Sequence, residues 1–202
     1  MEDATLVLVA QGSAIETVEL VADQLRKDLR LKVGVIGLRS LRPFPAAELT
    51  RLIGGVARVC VLERLATPLA GNPPLLRELR TALDRSLEKG RLDGPEESQR
   101  PAPDNKQRPR LLSVVYGVGG LPLRSADLAA LCRNVDKILI RQVYLGLSFA
   151  PPPSHYPKRQ VLLDQLRRAY PEITDLGLTG TGPGPDPRPD ASLTLTLHRI
   201  QG

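Results

Sequence analysis

Four runs of apolar, strand-forming residues recur along the chain, and after each comes a turn and a helical repeat of Leu, Val and Ala. The first, Thr5–Ala10 (TLVLVA), ends at Gln11-Gly12-Ser13. A run without polar alternation has no solvent face, so it suits a strand buried on both sides. Ile15, Val18, Ala22, Leu25 and Leu29 follow at three- and four-residue intervals, with Glu19, Asp23 and Arg26 opposite them, the pattern of an amphipathic helix. The cycle repeats with a strand at Lys32–Leu38 (KVGVIGL), a helix at Pro45–Ile53 and a strand at Ala57–Leu62 (ARVCVL). Leu75, Leu76, Leu79, Ala82, Leu83 and Leu87 mark a third helix. A strand at Leu111–Tyr116 (LLSVVY) leads into a turn at Gly117, Gly119 and Gly120, then a helix from Ser125, its N-cap, to Val135. A strand at Gln142–Leu147 completes the sheet. Repeated βαβ units cross over with one hand and place helices on both faces. The expected fold is α/β, a three-layer open and mainly parallel sheet with helices on both faces.

Residues 1–150 form this domain, interrupted by a surface insertion at 89–109, where apolar periodicity stops and Gly, Pro, Glu, Gln and Asp dominate. Residues 151–190 hold a helix and a linker. Pro151-Pro152-Pro153 breaks the pattern, and Lys158–Tyr170 carries Val161, Leu162, Leu166 and Ala169 on one face, which needs a surface to dock against. Gly177–Pro189 is rich in Gly and Pro and reads as a linker. In residues 191–202, Ser192–Ile200 alternates like the first strand of a following domain.

Composition removes several functions. Aromatic residues are 3% of the chain and Trp is absent, so platforms for stacking bases are missing. The net charge of +6 comes from arginines that recur singly, as at Arg26, Arg51, Arg80, Arg133 and Arg167. That is the pattern of solvated faces and not of a phosphate track, so no nucleic-acid partner is expected. Cys60 and Cys132 are the only cysteines, with no CxxC spacing, and read as buried thiols in a reducing cytoplasm. They cannot assemble an iron–sulfur or zinc site, and no metal-ligand set is assigned. No apolar run approaches the ~20 residues of a membrane span, so no membrane partner is expected.

The Gly12-Ser13 helix start invites an anion, because backbone N–H groups are exposed there. Ser13 and Glu16, however, make the S-x-x-E spacing of a capping box, which would occupy those donors and add negative charge. Gly117-Val118-Gly119-Gly120 lacks the spacing of a dinucleotide loop. His155 and His198 have no nucleophile nearby, and Asp3, Asp23, Glu63 and Asp127 make no recognisable acid–base pair. No catalytic residue is assigned. Ser13, Thr17, Arg64 and Tyr116 would converge beyond the strand carboxyl ends, where open α/β sheets bind ligands.

From Gly12 to Arg64 the segments GSAIET, KVGVIGLRSLRPFP and ARVCVLERL resemble, in order and spacing, the second domain of pyruvate:ferredoxin (flavodoxin) oxidoreductases and related 2-oxoacid:acceptor oxidoreductases, a transketolase C-terminal-like domain. VVYGVGGLPLRSADLAALCRNV and RQVYLGL are similar to its later turn, helix and closing strand, extending the resemblance to about residues 5–149. The chain departs from the family pattern at Glu63, Ala66-Thr67, Val115 and Leu147-Ser148-Phe149.

The resemblance implies a parent assembly that oxidatively decarboxylates a 2-oxoacid such as pyruvate with coenzyme A. It would use thiamine diphosphate, magnesium and iron–sulfur clusters, and pass electrons to ferredoxin or flavodoxin. None of these cofactors is expected on this chain alone. Its implied role is non-catalytic, a structural and interface domain packed against other domains or subunits of an oligomer. The interface or ligand candidates are Ser13, Glu16, Thr17, Arg42, Pro43, Phe44, Glu63, Arg64, Tyr116 and Gly117. Within them, Pro43 ends a strand, Phe44 plugs a contact, and Arg42 either pairs with a neighbouring subunit or domain or is an ordinary surface arginine. The rival readings are a stand-alone small-ligand-binding or regulatory module and a fragment of another thiamine-dependent enzyme.

Overall fold

The computed structural model describes residues 3–67, 71–92, 108–148, 155–170, 176–182 and 184. The strands are β1 Leu6–Gln11, β2 Val33–Leu38, β3 Arg58–Glu63, β4 Arg110–Val115, β5 Gln142–Leu145 and β6 Gly177–Leu178. Between them lie α1 Ala14–Leu29, α2 Ala46–Ile53, α3 Pro74–Leu92, α4 Ser125–Asn134 and α5 Pro157–Ala169, with a 3-10 turn at Val118–Gly120. The sheet order is β2-β1-β3-β4-β5-β6 and every pair is parallel. The expected open α/β sheet is therefore present, and among the described residues it is wholly parallel.

Strand periodicity divides the core into two layers. Leu6, Leu8, Ala10, Cys60, Leu62, Leu112 and Val114 face α1 and α4, where Val18, Val21, Leu25, Leu128 and Leu131 close over them. Val7, Val9, Val59 and Val61 face the other way, toward Leu49 and Ile53 of α2 and Leu75, Leu76 and Leu79 of α3. Each Leu, Ile or Val among these side chains stabilises the fold by roughly 1.5–3 kcal/mol when fully buried, which explains why a chain so poor in aromatics still has a core. Helix α1 lies close over β2: a Cβ built on Gly37 would stand 2.7 Å from Ile15 Cγ2.

The structure differs from the sequence reading at element ends and at the far edge. Leu29 is exposed, because α1 ends beside it at Arg30, which turns left-handed (φ 53) and donates its N–H to Leu25 O. Helix α3 continues through Leu92, into the span read as the 89–109 insertion, whose residues 93–107 lie outside the described residues. The residue flanking α4 is Arg124, in an extended conformation, and Ser125 is already helical, so the N-cap assigned to Ser125 is corrected. Strand β5 stops at Leu145 because Gly146 (φ 77) turns the chain. It does not complete the sheet: Gly177 and Leu178, read as the start of a linker, pair with Tyr144 and Leu145. Two residues are too few for periodicity to reveal. The strand expected at Ser192–Ile200 lies outside the described residues. Among the described residues, no helix is long and apolar enough to cross a membrane.

Candidate functional site

The chain passes from β1 outward to β2, then returns across β1 to β3 and continues in the opposite direction. The loops leaving β1 and β3 part at this reversal, and in open parallel sheets a crevice forms there at the carboxyl ends of the strands. Two clefts open at this place. One, of about 250 Å³, is lined by Ser13, Thr17, Arg64, Tyr116 and Gly117 together with Leu123. The other, of about 560 Å³, is lined by Gln11, Gly12, Leu41, Glu63, Arg64 and Tyr116. Arg64 and Tyr116 belong to both. The expected convergence of Ser13, Thr17, Arg64 and Tyr116 at one edge is present, while Gln11 and Leu41, which carry no chemical signature, join them there.

Arg64 follows β3 directly and lies exposed over Gly117. A Cβ on Gly117 would stand 3.0 Å from Arg64 Cγ and Nε, and Gly117 has φ +70, so this position suits glycine on both grounds. Arg64 has no hydrogen bond or ion pair among the described residues. Tyr116 is half-buried, its backbone N–H donates to Glu63 O at 3.0 Å, and burial pushes its phenol above the usual range while the charge of Arg64 draws it back.

The capping box is not formed. Gly12 (φ 65) makes the turn, Ile15 N–H donates to Gly12 O at 3.1 Å, and Ser13 is already in the right-handed helical region (φ −63, ψ −15), with no side-chain cap. A capping hydroxyl needs an extended residue, which the early turn at Gly12 denies it. Glu16 is exposed on α1 and makes no cap. Accordingly, Ser13→Ala should move stability by no more than about 0.5 kcal/mol, as for an ordinary surface change. A urea midpoint displaced by more than that would restore the capping role.

Glu63 is a fastener inside the chain. The residue is 9% exposed, and its carboxylate accepts the N–H groups of Leu75 (2.7 Å) and Leu76 (3.1 Å) at the start of α3. It therefore serves as a helix cap delivered from the neighbouring strand. Burial raises the Glu63 carboxyl above its ordinary value, with the two N–H donors and then Arg77 pulling it back. Arg42 is also held within the chain: its Nη2 pairs with Glu78 Oε1 at 2.8 Å, on α3, and Nη1 donates to Leu41 O at 3.0 Å. Phe44 packs, partly buried, against the α2–α3 side of the core, and Pro43 is exposed beside it.

Asp127 was given no role from sequence, yet it is 1% exposed. Arg124 grips it with Nε to Oδ2 at 2.8 Å and Nη2 to Oδ1 at 2.6 Å, and Gly180 N–H donates to Oδ1 at 2.7 Å. The three-residue spacing of Arg124 and Asp127 at a helix start was the available signal.

The metal centres implied for the assembly do not fit the described residues of this chain. Among the described residues no three His, Cys, Asp or Glu side chains come together as a metal site. Cys60 and Cys132 are free thiols buried in the α1–α4 side of the core. Burial pushes the Cys132 thiol up to about 12 and raises that of Cys60 as well, which opposes the thiolate that ligation requires.

Residues 4–93 match the family model for pyruvate:ferredoxin oxidoreductase core domain II. The pyruvate synthase subunit PorA of Thermotoga maritima is 33% identical over 150 residues, which is 73% of this chain and 33% of that protein. A probable pyruvate-flavodoxin oxidoreductase of Escherichia coli is 40% identical over 88 residues, 43% of this chain and 7% of its own length. The ketoisovalerate oxidoreductase subunit VorA of Pyrococcus abyssi is 27% identical over 139 residues, 69% of this chain and 30% of that subunit. The chain thus spans a third or less of the length of these relatives. The family-model match spans β1, β2 and β3 with Arg64 of the crevice, and the chain belongs to the 2-oxoacid:ferredoxin oxidoreductase family.

Proposed function

We propose that this chain is a structural and interface domain of a thiamine-dependent oxidoreductase that oxidatively decarboxylates a 2-oxoacid with coenzyme A, and that it supplies no reacting group of its own. Thiamine diphosphate, magnesium and iron–sulfur clusters would be held by other domains or subunits of a cytoplasmic oligomer, and ferredoxin or flavodoxin would meet that assembly. The observation that carries this reading is helix α5. It has no buried residue, and Val161 and Leu162 are 56% and 55% exposed, with Leu166 and Tyr170 also exposed. A helix of 13 residues is marginal in water unless its apolar face is covered, so α5 fits a surface that docks on a neighbouring polypeptide. The crevice adds Arg64, unpaired among the described residues and close to a half-buried tyrosine. Residues 1–150 would form the packing domain, with 151–190 leading to a further unit at 191–202.

The test combines activity and association. The chain alone is expected to give no 2-oxoacid- and coenzyme-A-dependent reduction of a viologen dye, and turnover by it would refute the proposal. Leu162→Asp with Leu166→Asp should leave the thermal midpoint of the isolated chain unchanged. The same pair should weaken its co-purification with the other polypeptides of its native assembly by about ten-fold or more, the cost of charging an apolar contact.

A further inference from the structure

At the opposite edge of the sheet, where the strands begin, four arginines from separate parts of the chain surround one open cleft of about 480 Å³. Arg80 comes from α3, Arg108 precedes β4, Arg110 opens it, and Arg141 immediately precedes β5. Leu111, Leu139 and Ile140 provide an apolar wall, and Leu139 is 85% exposed. Among the described residues that line the cleft the one carboxylate, Asp84, is taken by Arg108 at 2.7 Å. Arg110 donates to the backbone oxygen of Ile138. The guanidinium groups of Arg80 and Arg141 have no hydrogen bond or ion pair among the described residues.

Four cations against one carboxylate among the described residues is an arrangement that folding alone does not favour, because like charges in one concavity repel and uncompensated guanidinium groups gain nothing from desolvation. Its effect is visible at Arg80, whose guanidinium is held below the ordinary arginine range by burial and then by the charges of Arg141 and Arg108. An anion entering the cleft would relieve this repulsion. Guanidinium forks match phosphate oxygens two at a time, and here two forks are free of side-chain partners among the described residues. The concavity fits a small molecule better than a flat acidic surface, and the aliphatic wall offers a place for its uncharged body.

We propose that this cleft binds a small molecule bearing two or more phosphates, seated with its phosphates on Arg80 and Arg141 and its organic portion against Leu111, Leu139 and Ile140. Magnesium-free titration calorimetry of the full 202-residue chain with ADP and with inorganic pyrophosphate tests it. One-to-one saturable binding of ADP is expected, displaced by pyrophosphate and weakened by added salt. Arg80→Ala with Arg141→Ala should weaken it about ten-fold or more, the usual loss for charge-assisted hydrogen bonds. Arg64→Ala, at the other edge of the sheet, should leave it unchanged. ADP should also raise the thermal midpoint of the native chain and not that of the double variant, and a cooperative melt of that variant shows it folded. The proposal is overturned by the absence of saturable binding of either probe, by unchanged affinity in the double variant, by loss in Arg64→Ala instead, or by tighter binding of polyglutamate than of ADP.

Discussion

Glu63→Ala should lower the unfolding free energy by about 2–3 kcal/mol, the cost of removing a charged acceptor from two buried N–H groups at a helix start. The donors at Leu75 and Leu76 stay where α3 holds them, since both side chains are 1% exposed in the core. They would lose their acceptor with little water to replace it. Gln at this position keeps one acceptor oxygen and should cost about half as much by the same reasoning. Denaturant unfolding of the three proteins measures this order, and an alanine variant within about 0.5 kcal/mol of the native chain would show that solvent already satisfies α3.

The same residue gives a pH dependence of definite sign. Because burial raises the Glu63 carboxyl in the folded chain, the folded state holds that proton more tightly than the unfolded state does. The resulting stability is fully present below the ordinary glutamate value of about 4.3 and is lost as pH rises through the raised folded value. The stability difference between the native chain and Glu63→Gln should therefore shrink as pH increases across that window. A difference that grew instead would mean that the two N–H donors outweigh burial.

Asp127→Ala should destabilise the chain by about 2–3 kcal/mol, less than the full cost of breaking a buried pair because Arg124 is 50% exposed and water can receive it. The larger consequence is local. Asp127 ties Gly180 to α4, and that tie holds β6 against β5, where Gly146 N–H donates to Leu178 O at 2.9 Å. Amide exchange at Gly146 and Gly180 should accelerate far more than at core positions such as Leu8. Gly180→Ala reaches the same result by another cause: a Cβ there would stand 2.2 Å from the backbone oxygen of Ala126, which cannot move without bending α4. Since both changes release one contact, the double variant should lose less than the sum of the two. Unchanged exchange at Gly146 in both single variants would show that β6 needs neither the carboxylate nor the close approach.

The candidate crevice was readable in advance for a topological reason. Parallel strands joined by crossover helices all end at one edge, so Ser13, Arg64 and Tyr116, each just past a strand, had to share it. Which of them bonds to what was not readable. Ser13 and Glu16 have the spacing of a cap, yet a left-handed Gly12 one residue earlier changes the backbone on which capping depends. Glu63 was an interface or ligand candidate, and its hydrogen-bond partners lie on a helix whose position is set by core packing. The arginine cleft shows the limit most plainly: Arg80, Arg108, Arg110 and Arg141 look scattered along the chain and meet only because neighbouring strands begin at the same edge.

Apolar periodicity alone determined that this chain builds a parallel α/β sheet, because burial on two faces and the helical repeat are local properties written in neighbouring residues. The sheet's last strand, the inward turn of Glu63 and Asp127, and the gathering of four arginines were decided only by tertiary structure. Those features depend on distances between segments far apart in the chain, and such distances exist only once the layers have packed.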